Sequence, residues 1–268
     1  MKLQGKNIVL TGAAGGIGSL LTQQLLEKGA CLAAVDRDPA QLDALDDATR
    51  LRSQQGMTIA ADLTLPEGIA SIAQHITQQW NGGVDIVIHA AGVMDFAPFE
   101  NMRAESIHLM TAVNLEAPIQ LTRALLPKML DRGQGRIVFL GSILGALGMP
   151  YFSTYTASKF ALRGFSEALR RELYGKGVGI SYIGPRSVKT SLNAGAVKRM
   201  AEATGMTMDD PAQVAQKIIQ SIEKERDEAF LGFPESLFTK INALSPRIID
   251  KGMRKQQKIM EPFAREQS

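Results

Sequence analysis

The sequence predicts a doubly wound α/β fold, a seven-stranded parallel sheet with helices on both faces. Three observations carry that reading. Short β-branched runs alternate with longer amphipathic stretches. Several runs are apolar at consecutive positions, as strands covered on both faces require. The first run leads directly into a glycine-rich turn that opens a helical stretch.

Residues 8–10 are the first strand, followed by Thr11-Gly12-Ala13-Ala14-Gly15-Gly16-Ile17-Gly18. Ile17, Leu20, Leu21 and Leu25 share one face of the next helix, and Gly29 ends it. The second strand, 31–35, runs into Asp36, and the third, 58–60, is followed by Asp62 and Leu63. The fourth, 84–89, meets Ala90-Ala91-Gly92, and the fifth, 136–140, is followed by Ser142. A later helix groups Phe160, Gly164, Phe165, Ala168 and Leu169 on one apolar face. Residues 179–183 and 229–231 complete the sheet, joined by right-handed crossovers. Residues 1–232 read as one catalytic and dinucleotide-binding domain. Residues 233–268 read as a helical extension of it, with Leu237, Phe238, Ile241 and Leu244 at helical spacing and a break at Pro246.

With 268 residues and 45% hydrophobic content, the chain can build one sizeable core. Cys31, the single cysteine, excludes an intrachain disulfide and makes the cytoplasm the expected compartment. It reads as a small core residue. The N-terminal residues have no apolar run of signal-peptide type, and the longest uncharged stretch, 137–158, reads as strand plus loop rather than a membrane span. The net charge of +3 is uneven. Lys240, Arg247, Lys251, Arg254, Lys255 and Lys258 face one acid, Asp250, so the basic character belongs to the extension. Neither a nucleic-acid partner nor a metal site is expected.

The glycine-rich turn suits a dinucleotide. Glycine lets backbone N–H groups approach a pyrophosphate, and the following helix N-terminus favours the same anion. Gly12, Gly15, Gly16, Ile17 and Gly18 are the expected contacts. Asp36 can accept from ribose hydroxyls and repels a 2′-phosphate, which favours NAD; Arg37 is the counter-argument, because it could pair with that phosphate of NADP. Asp62 with Leu63 reads as an adenine contact or as a helix N-terminal acid, and the small residues Ala90, Ala91 and Gly92 leave room for the cofactor.

Tyr155 and Lys159 stand one helical turn apart on one face. A nearby ammonium is expected to lower the phenol's pKa toward a useful range. Ser142 lies thirteen residues before Tyr155 and can hydrogen-bond a substrate oxygen as charge develops. Asn114 precedes Pro118 by four residues, so its carbonyl lacks the usual helical donor. It reads either as a water-holding carbonyl or as a plain proline kink.

Thr11-Gly12-x-x-x-Gly16-x-Gly18, Asp62, Ala90-Ala91-Gly92, Asn114, Ser142 and Tyr155-x-x-x-Lys159, in this order and spacing, resemble the short-chain dehydrogenase/reductase family, in its compact single-domain branch. The resemblance spans roughly residues 5–232. It implies a Rossmann-type fold, a nicotinamide cofactor held also by Tyr155 and Lys159, an Asn114–Ser142–Tyr155–Lys159 tetrad, a water relay from Lys159 past Asn114, and a homodimer or homotetramer. One departure stands out. Where the family has Pro-Gly, this chain has Pro185-Arg186, before Val188 and Thr190, which can still meet the nicotinamide amide. Arg186 is expected to bind an anionic substrate group or cofactor phosphate, or to point to solvent.

Met94, Leu144, Met149 and Arg186 are the expected pocket residues, with residues 193–208 as a lid by the same resemblance. An apolar, methionine-containing pocket suits a lipophilic alcohol or ketone. The leading expectation is an NAD-preferring oxidoreductase of such a substrate. The alternatives are an NADPH-dependent ketoacyl or other carbonyl reductase of lipid or polyketide synthesis and a catalytically silent dinucleotide-binding regulator, against which the intact tetrad argues. The extension is expected to pack on the domain or a partner subunit, with at most peripheral membrane contact.

Overall fold

A computed structural model describes residues 1–54, 56–80 and 83–266. Seven strands form one parallel sheet: β1 (Asn7–Thr11), β2 (Cys31–Asp36), β3 (Met57–Ala60), β4 (Ile86–His89), β5 (Gly135–Leu140), β6 (Val178–Pro185) and β7 (Glu228–Leu231). Their spatial order is β3-β2-β1-β4-β5-β6-β7. The order reverses between β1 and β4, which opens a crevice at the carboxyl ends of the strands.

The helices are α1 (Gly18–Glu27), α2 (Pro39–Thr49), α3 (Pro66–Gln79), α4 (Ala104–Thr111), α5 (Ala117–Arg132), α6 (Ser153–Glu172), α7 (Ala196–Thr204), α8 (Pro211–Glu223), α9 (Glu235–Leu244) and α10 (Pro246–Arg265). Alternation along each strand divides the core in two. Ile8, Leu10, Leu32, Ile86 and Ile88 pack with Leu21 and Leu25 of α1 and Val214 and Ile218 of α8. Val9, Val35, Val87, Ile137 and Phe139 pack on the other face with Ile72 of α3, Leu121 of α5 and Leu162 of α6. A third cluster lies outside the sheet. There Phe96 and Phe152 meet Val197 and Met200 of α7 and Met260 and Ala264 of α10. The extension thus packs its inner face on α7.

The inner face of α6 differs from the sequence expectation. Tyr155, Ser158, Lys159, Leu162, Ser166 and Leu169 are buried, whereas Phe160, Gly164 and Ala168 are exposed and Phe165 is half-buried. The cause is polar. Ser158 and Ser166 satisfy their hydroxyls on the carbonyls of Tyr155 and Arg163, and Lys159 turns inward to the Leu140 carbonyl, so the buried stripe follows the site rather than the largest apolar side chains.

Candidate active site

The glycine-rich turn between β1 and α1 is packed so closely that side chains have no room. A Cβ on Gly12 would lie 2.7 Å from Ala91 Cα, and one on Gly18 would lie 1.9 Å from the Gly12 carbonyl oxygen. Gly12 also has φ +67°, the left-handed region that glycine tolerates. No side chain caps α1, whereas Asp38 caps α2 and Asp210 caps α8. The first-turn amides of α1 are therefore unclaimed by side chains, as an anion-binding helix start requires.

A cleft of about 430 Å³ runs along this turn, lined by Gly12, Gly15, Gly16, Ile17, Gly18, Asp36, Arg37, Asp62, Leu63, Ala90, Ala91, Gly92 and Thr190. Asp36 at the end of β2 accepts from Ala14 N at 3.0 Å and Arg37 N at 2.7 Å, which fixes its carboxylate at the cleft wall. Arg37 is exposed. Asp62 accepts from Thr64 N and Thr64 Oγ1 at 2.9 and 2.7 Å. These bonds, the hydroxyl's first, hold its carboxyl below the usual range. It shapes the turn before α3 and lines the cleft as well. Thr11 Oγ1 accepts from Ala90 N and Ala91 N and ties β1 to the end of β4. Beneath, His89 stacks on Phe139 with centroids 5.0 Å apart, and burial lowers its pKa to about 3. It is a neutral core residue.

Four polar residues converge beyond the cleft. Ser142 follows β5, and Tyr155 and Lys159 come from the first turns of α6. Ser142 Oγ accepts from Leu144 N at 3.1 Å and borders the same pocket as the Tyr155 phenol. Lys159 Nζ lies 5.6 Å from the Tyr155 ring centroid and donates to the Leu140 carbonyl at 3.3 Å. A Cβ on Gly92 would stand 3.5 Å from Asn114 Oδ1 and 3.6 Å from Lys159 Nζ, so Gly92 leaves open the space between them. Asn114 sits in a π-helical turn, Ala112–Glu116, between α4 and α5. Pro118 has no N–H to offer the Asn114 carbonyl, and the ladder slips locally to wider spacing. The Asn114 side chain is clamped by Val93 N, Val93 O and Ser158 Oγ at 2.9, 2.8 and 3.1 Å.

The electrostatics depart from the sequence expectation. Burial raises the Tyr155 phenol to about 12, although Ser142 pulls the other way. Burial also lowers Lys159 to about 8. Desolvation is the largest cause for both groups, so the expected depression of Tyr155 is not seen.

Sequence reasoning missed Tyr182, in mid-β6. Its hydroxyl accepts from Ser142 N at 3.1 Å and donates to Ser142 O at 3.0 Å, and it is fully buried. Gly141 and Gly145 are small because this ring lies against them: Cβ atoms there would approach it to 2.0 and 1.9 Å. Glycines on both sides of Ser142 were the available signal.

A pocket of about 170 Å³ opens at Tyr155 and Ser142 and shares Ile17, Ala90, Gly92, Thr190 and Leu192 with the cleft. Met94, Leu144, Met149 and Arg186 are among its lining residues, together with Leu147, Phe152, Met200 and Met206. Pro185, Val188 and Thr190 also line the pocket, and Thr190, which lines the cleft as well, lies against Gly16.

Arg186 stands at the pocket wall, with its guanidinium turned to acids rather than to solvent. Its Nε and Nη2 grip Asp209 at 3.0 and 2.7 Å, and Nη1 reaches Glu235 Oε2 at 2.8 Å and Phe233 O at 2.9 Å. It does not point to solvent, and two acids already share its charge. The short parallel bridge between Val188 and Asp209 brings the acid alongside, and Gly232 has no side chain in the guanidinium's path. A sequence window cannot see partners that lie 23 and 49 residues away.

The family model for short chain dehydrogenases matches residues 6–201. This chain belongs to the short-chain dehydrogenase family. The dehydrogenase is 30% identical to a ketoacyl reductase, HetN, of a Nostoc species, over 93% of this chain and 88% of that one. It is 29% identical to the 3-oxoacyl-[acyl-carrier-protein] reductase FabG of Vibrio cholerae, over 89% and 94%. A solved short-chain dehydrogenase from Streptomyces avermitilis superposes with a TM-score of 0.79 at 26% identity, covering 95% of this chain and 98% of its own. One from Burkholderia cenocepacia, in complex with NADP, gives 0.79 at 20% identity over 94% and 99%, a likeness of fold alone. The chain is thus an NAD(P)-dependent oxidoreductase acting on the alcohol/carbonyl pair. Among the described residues no helix is long and apolar enough to cross a membrane, and no cluster could hold a metal ion.

Proposed function

We propose that this dehydrogenase moves a hydride between NAD(H) and a lipophilic ketone or secondary alcohol, with Tyr155 exchanging the proton. The observation that carries the reading is the convergence of an apolar pocket on Ser142 and Tyr155 where it joins the dinucleotide cleft. The cofactor, when bound, supplies and accepts the hydride. Gly12, Gly15, Gly16, Ile17 and Gly18 would hold its pyrophosphate, Asp36 its adenosine ribose, Asp62 and Leu63 the adenine, and Ala90–Gly92, Pro185, Val188 and Thr190 the nicotinamide end.

In this reading Ser142 orients the substrate oxygen and Tyr155 protonates it. A phenol held at about 12 is fully protonated at neutral pH, the state that reduction needs. Lys159 and the clamped Asn114 flank Gly92, where a water can carry the replacement proton. Asp36 supports NAD over NADP because a carboxylate repels the 2′-phosphate. The second reading, an NADPH-dependent ketoacyl reductase, is favoured by exposed Arg37 beside the cleft and by the ketoacyl reductases among its relatives. The exposed Phe160–Gly164–Ala168 face of α6 suits a homodimer or homotetramer, and the lone cysteine suits the cytoplasm.

The deciding experiment follows nicotinamide absorbance over ketones and alcohols of graded chain length with each cofactor. The expected result is turnover that rises with chain length and prefers NADH. A preference for NADPH with acyl thioesters would install the second reading, and no turnover of any carbonyl would remove both.

A further inference from the structure

The packing of α10 on α7 leaves its outer face unexplained. Met260 and Ala264 face inward. On the opposite side Arg247, Lys251, Arg254, Lys255 and Lys258 are all exposed. At 3.6 residues per turn these five positions fall within an arc of about 100° and span about 16 Å of helix. Among the described residues none of the five, nor exposed Lys240 on α9, has an ion-pair partner. Elsewhere on this surface arginines are commonly paired, as Arg163 is with Glu228 and Arg199 with Glu266.

At the amino end of the stripe stands a cluster of exposed apolar side chains. Leu244, at the α9–α10 junction, is 89% exposed and Ile248 is 59% exposed. Leu237 and Phe238 on α9 add to it. Solvent alone does not favour this arrangement, since apolar groups beside one another remain in water.

We propose that the outer face of α9 and α10 docks on an anionic phospholipid surface, with Leu244 and Ile248 entering the headgroup boundary and the α10 stripe lying on the headgroups. Charge decides among occupants. A second copy meeting this face across a two-fold axis would bring the same cations together. An anionic bilayer matches every position of the stripe without requiring a shaped partner and also takes up the apolar side chains. The attachment is peripheral, because α10 is committed on its other side to α7. The docking face is joined to the pocket: Glu235 lines the pocket wall, and Asn242 Nδ2 donates to the Ala146 carbonyl at 3.0 Å.

The test is co-sedimentation of the full-length protein with vesicles of phosphatidylcholine alone and of phosphatidylcholine mixed with phosphatidylserine. Binding is expected only to the mixed vesicles and should weaken as salt is raised. Combined Lys251→Gln, Arg254→Gln and Lys255→Gln should lower partitioning about a hundredfold, at about fivefold per cation removed. Its thermal unfolding and its turnover of a water-soluble ketone should be unchanged. Leu244→Ser with Ile248→Ser should weaken whatever binding survives high salt. Absence of binding to the mixed vesicles, or equal partitioning of the triple variant, overturns the proposal. So does a stripe-dependent dimer, or capture of an acidic carrier protein where vesicles are ignored.

Discussion

Replacing Arg186 with methionine removes the guanidinium while keeping an apolar stem of similar reach. Three elements lose their shared fastener: the end of β6, Asp209 between α7 and α8, and Glu235 at the start of α9. The side chains of Arg186, Asp209 and Glu235 are 13%, 16% and 21% exposed, so the two carboxylates left behind are only partly hydrated. Breaking a buried pair from one side costs about 3–5 kcal/mol, and the residual exposure here argues for roughly 3. In a domain of this size that corresponds to a fall in melting temperature of roughly 6–12 °C. The assay is thermal unfolding at neutral pH, read beside KM and kcat. Because Val188 and Thr190 follow Arg186 directly, KM for cofactor and substrate should rise more than kcat falls. Adding Asp209→Asn and Glu235→Gln should recover much of the stability, since no unpaired charge then remains. An unchanged melting temperature with selective loss of activity on anionic ketones would refute the reasoning and return Arg186 to the role of a substrate ligand.

Four further outcomes follow from the same geometry. Tyr155→Phe should lower kcat by about 10²–10⁴-fold or more while cofactor titration is unchanged; near-normal turnover of the folded variant would remove Tyr155 from the chemistry. Tyr182→Phe leaves Ser142 N without its acceptor, while Ser142 O keeps Gly145 N; this should cost about 1–3 kcal/mol of stability and reduce kcat without altering cofactor affinity, and unaltered unfolding would deny the clamp. Asp36→Ala should relax or reverse cofactor preference by letting Arg37 meet a 2′-phosphate; tighter NADP(H) than NAD(H) binding to the unaltered protein would show Arg37 dominant. For ketone reduction, kcat/KM should fall as pH rises through about 8, because burial lowers Lys159 to that value and the ammonium is lost above it, whereas Tyr155 at about 12 stays protonated throughout. A flat profile to well above that pH would contradict the assignment of Lys159.

All seven strand runs were legible in the sequence to within about two residues: the central strands β1, β2, β4 and β5 because burial on both faces keeps them mostly apolar, and the partly exposed edge strands β3 and β7 by their place in the alternation. The glycine-rich turn, Asp36 and the Tyr155–Lys159 pair were legible for a similar reason: each depends on spacing within one or two turns of chain. Residues that act across long separations were not. Tyr182 reaches Ser142 over 40 residues, Ser158 reaches Asn114 over 44, and Arg186 reaches Glu235 over 49.

Local chemistry along the chain therefore determined the sheet, the glycine-rich turn and the Tyr155–Lys159 pairing, while the set of four with Asn114 and Ser142 is what the family resemblance implies. Tertiary structure alone decided which face of α6 turns inward, what Arg186 grips, and that α10 lies on α7 with its cations outward. It also decided the state of Tyr155 and Lys159. Charge proximity is visible in a spacing of four residues, but desolvation depends on everything packed around the pair, and here it is the larger effect.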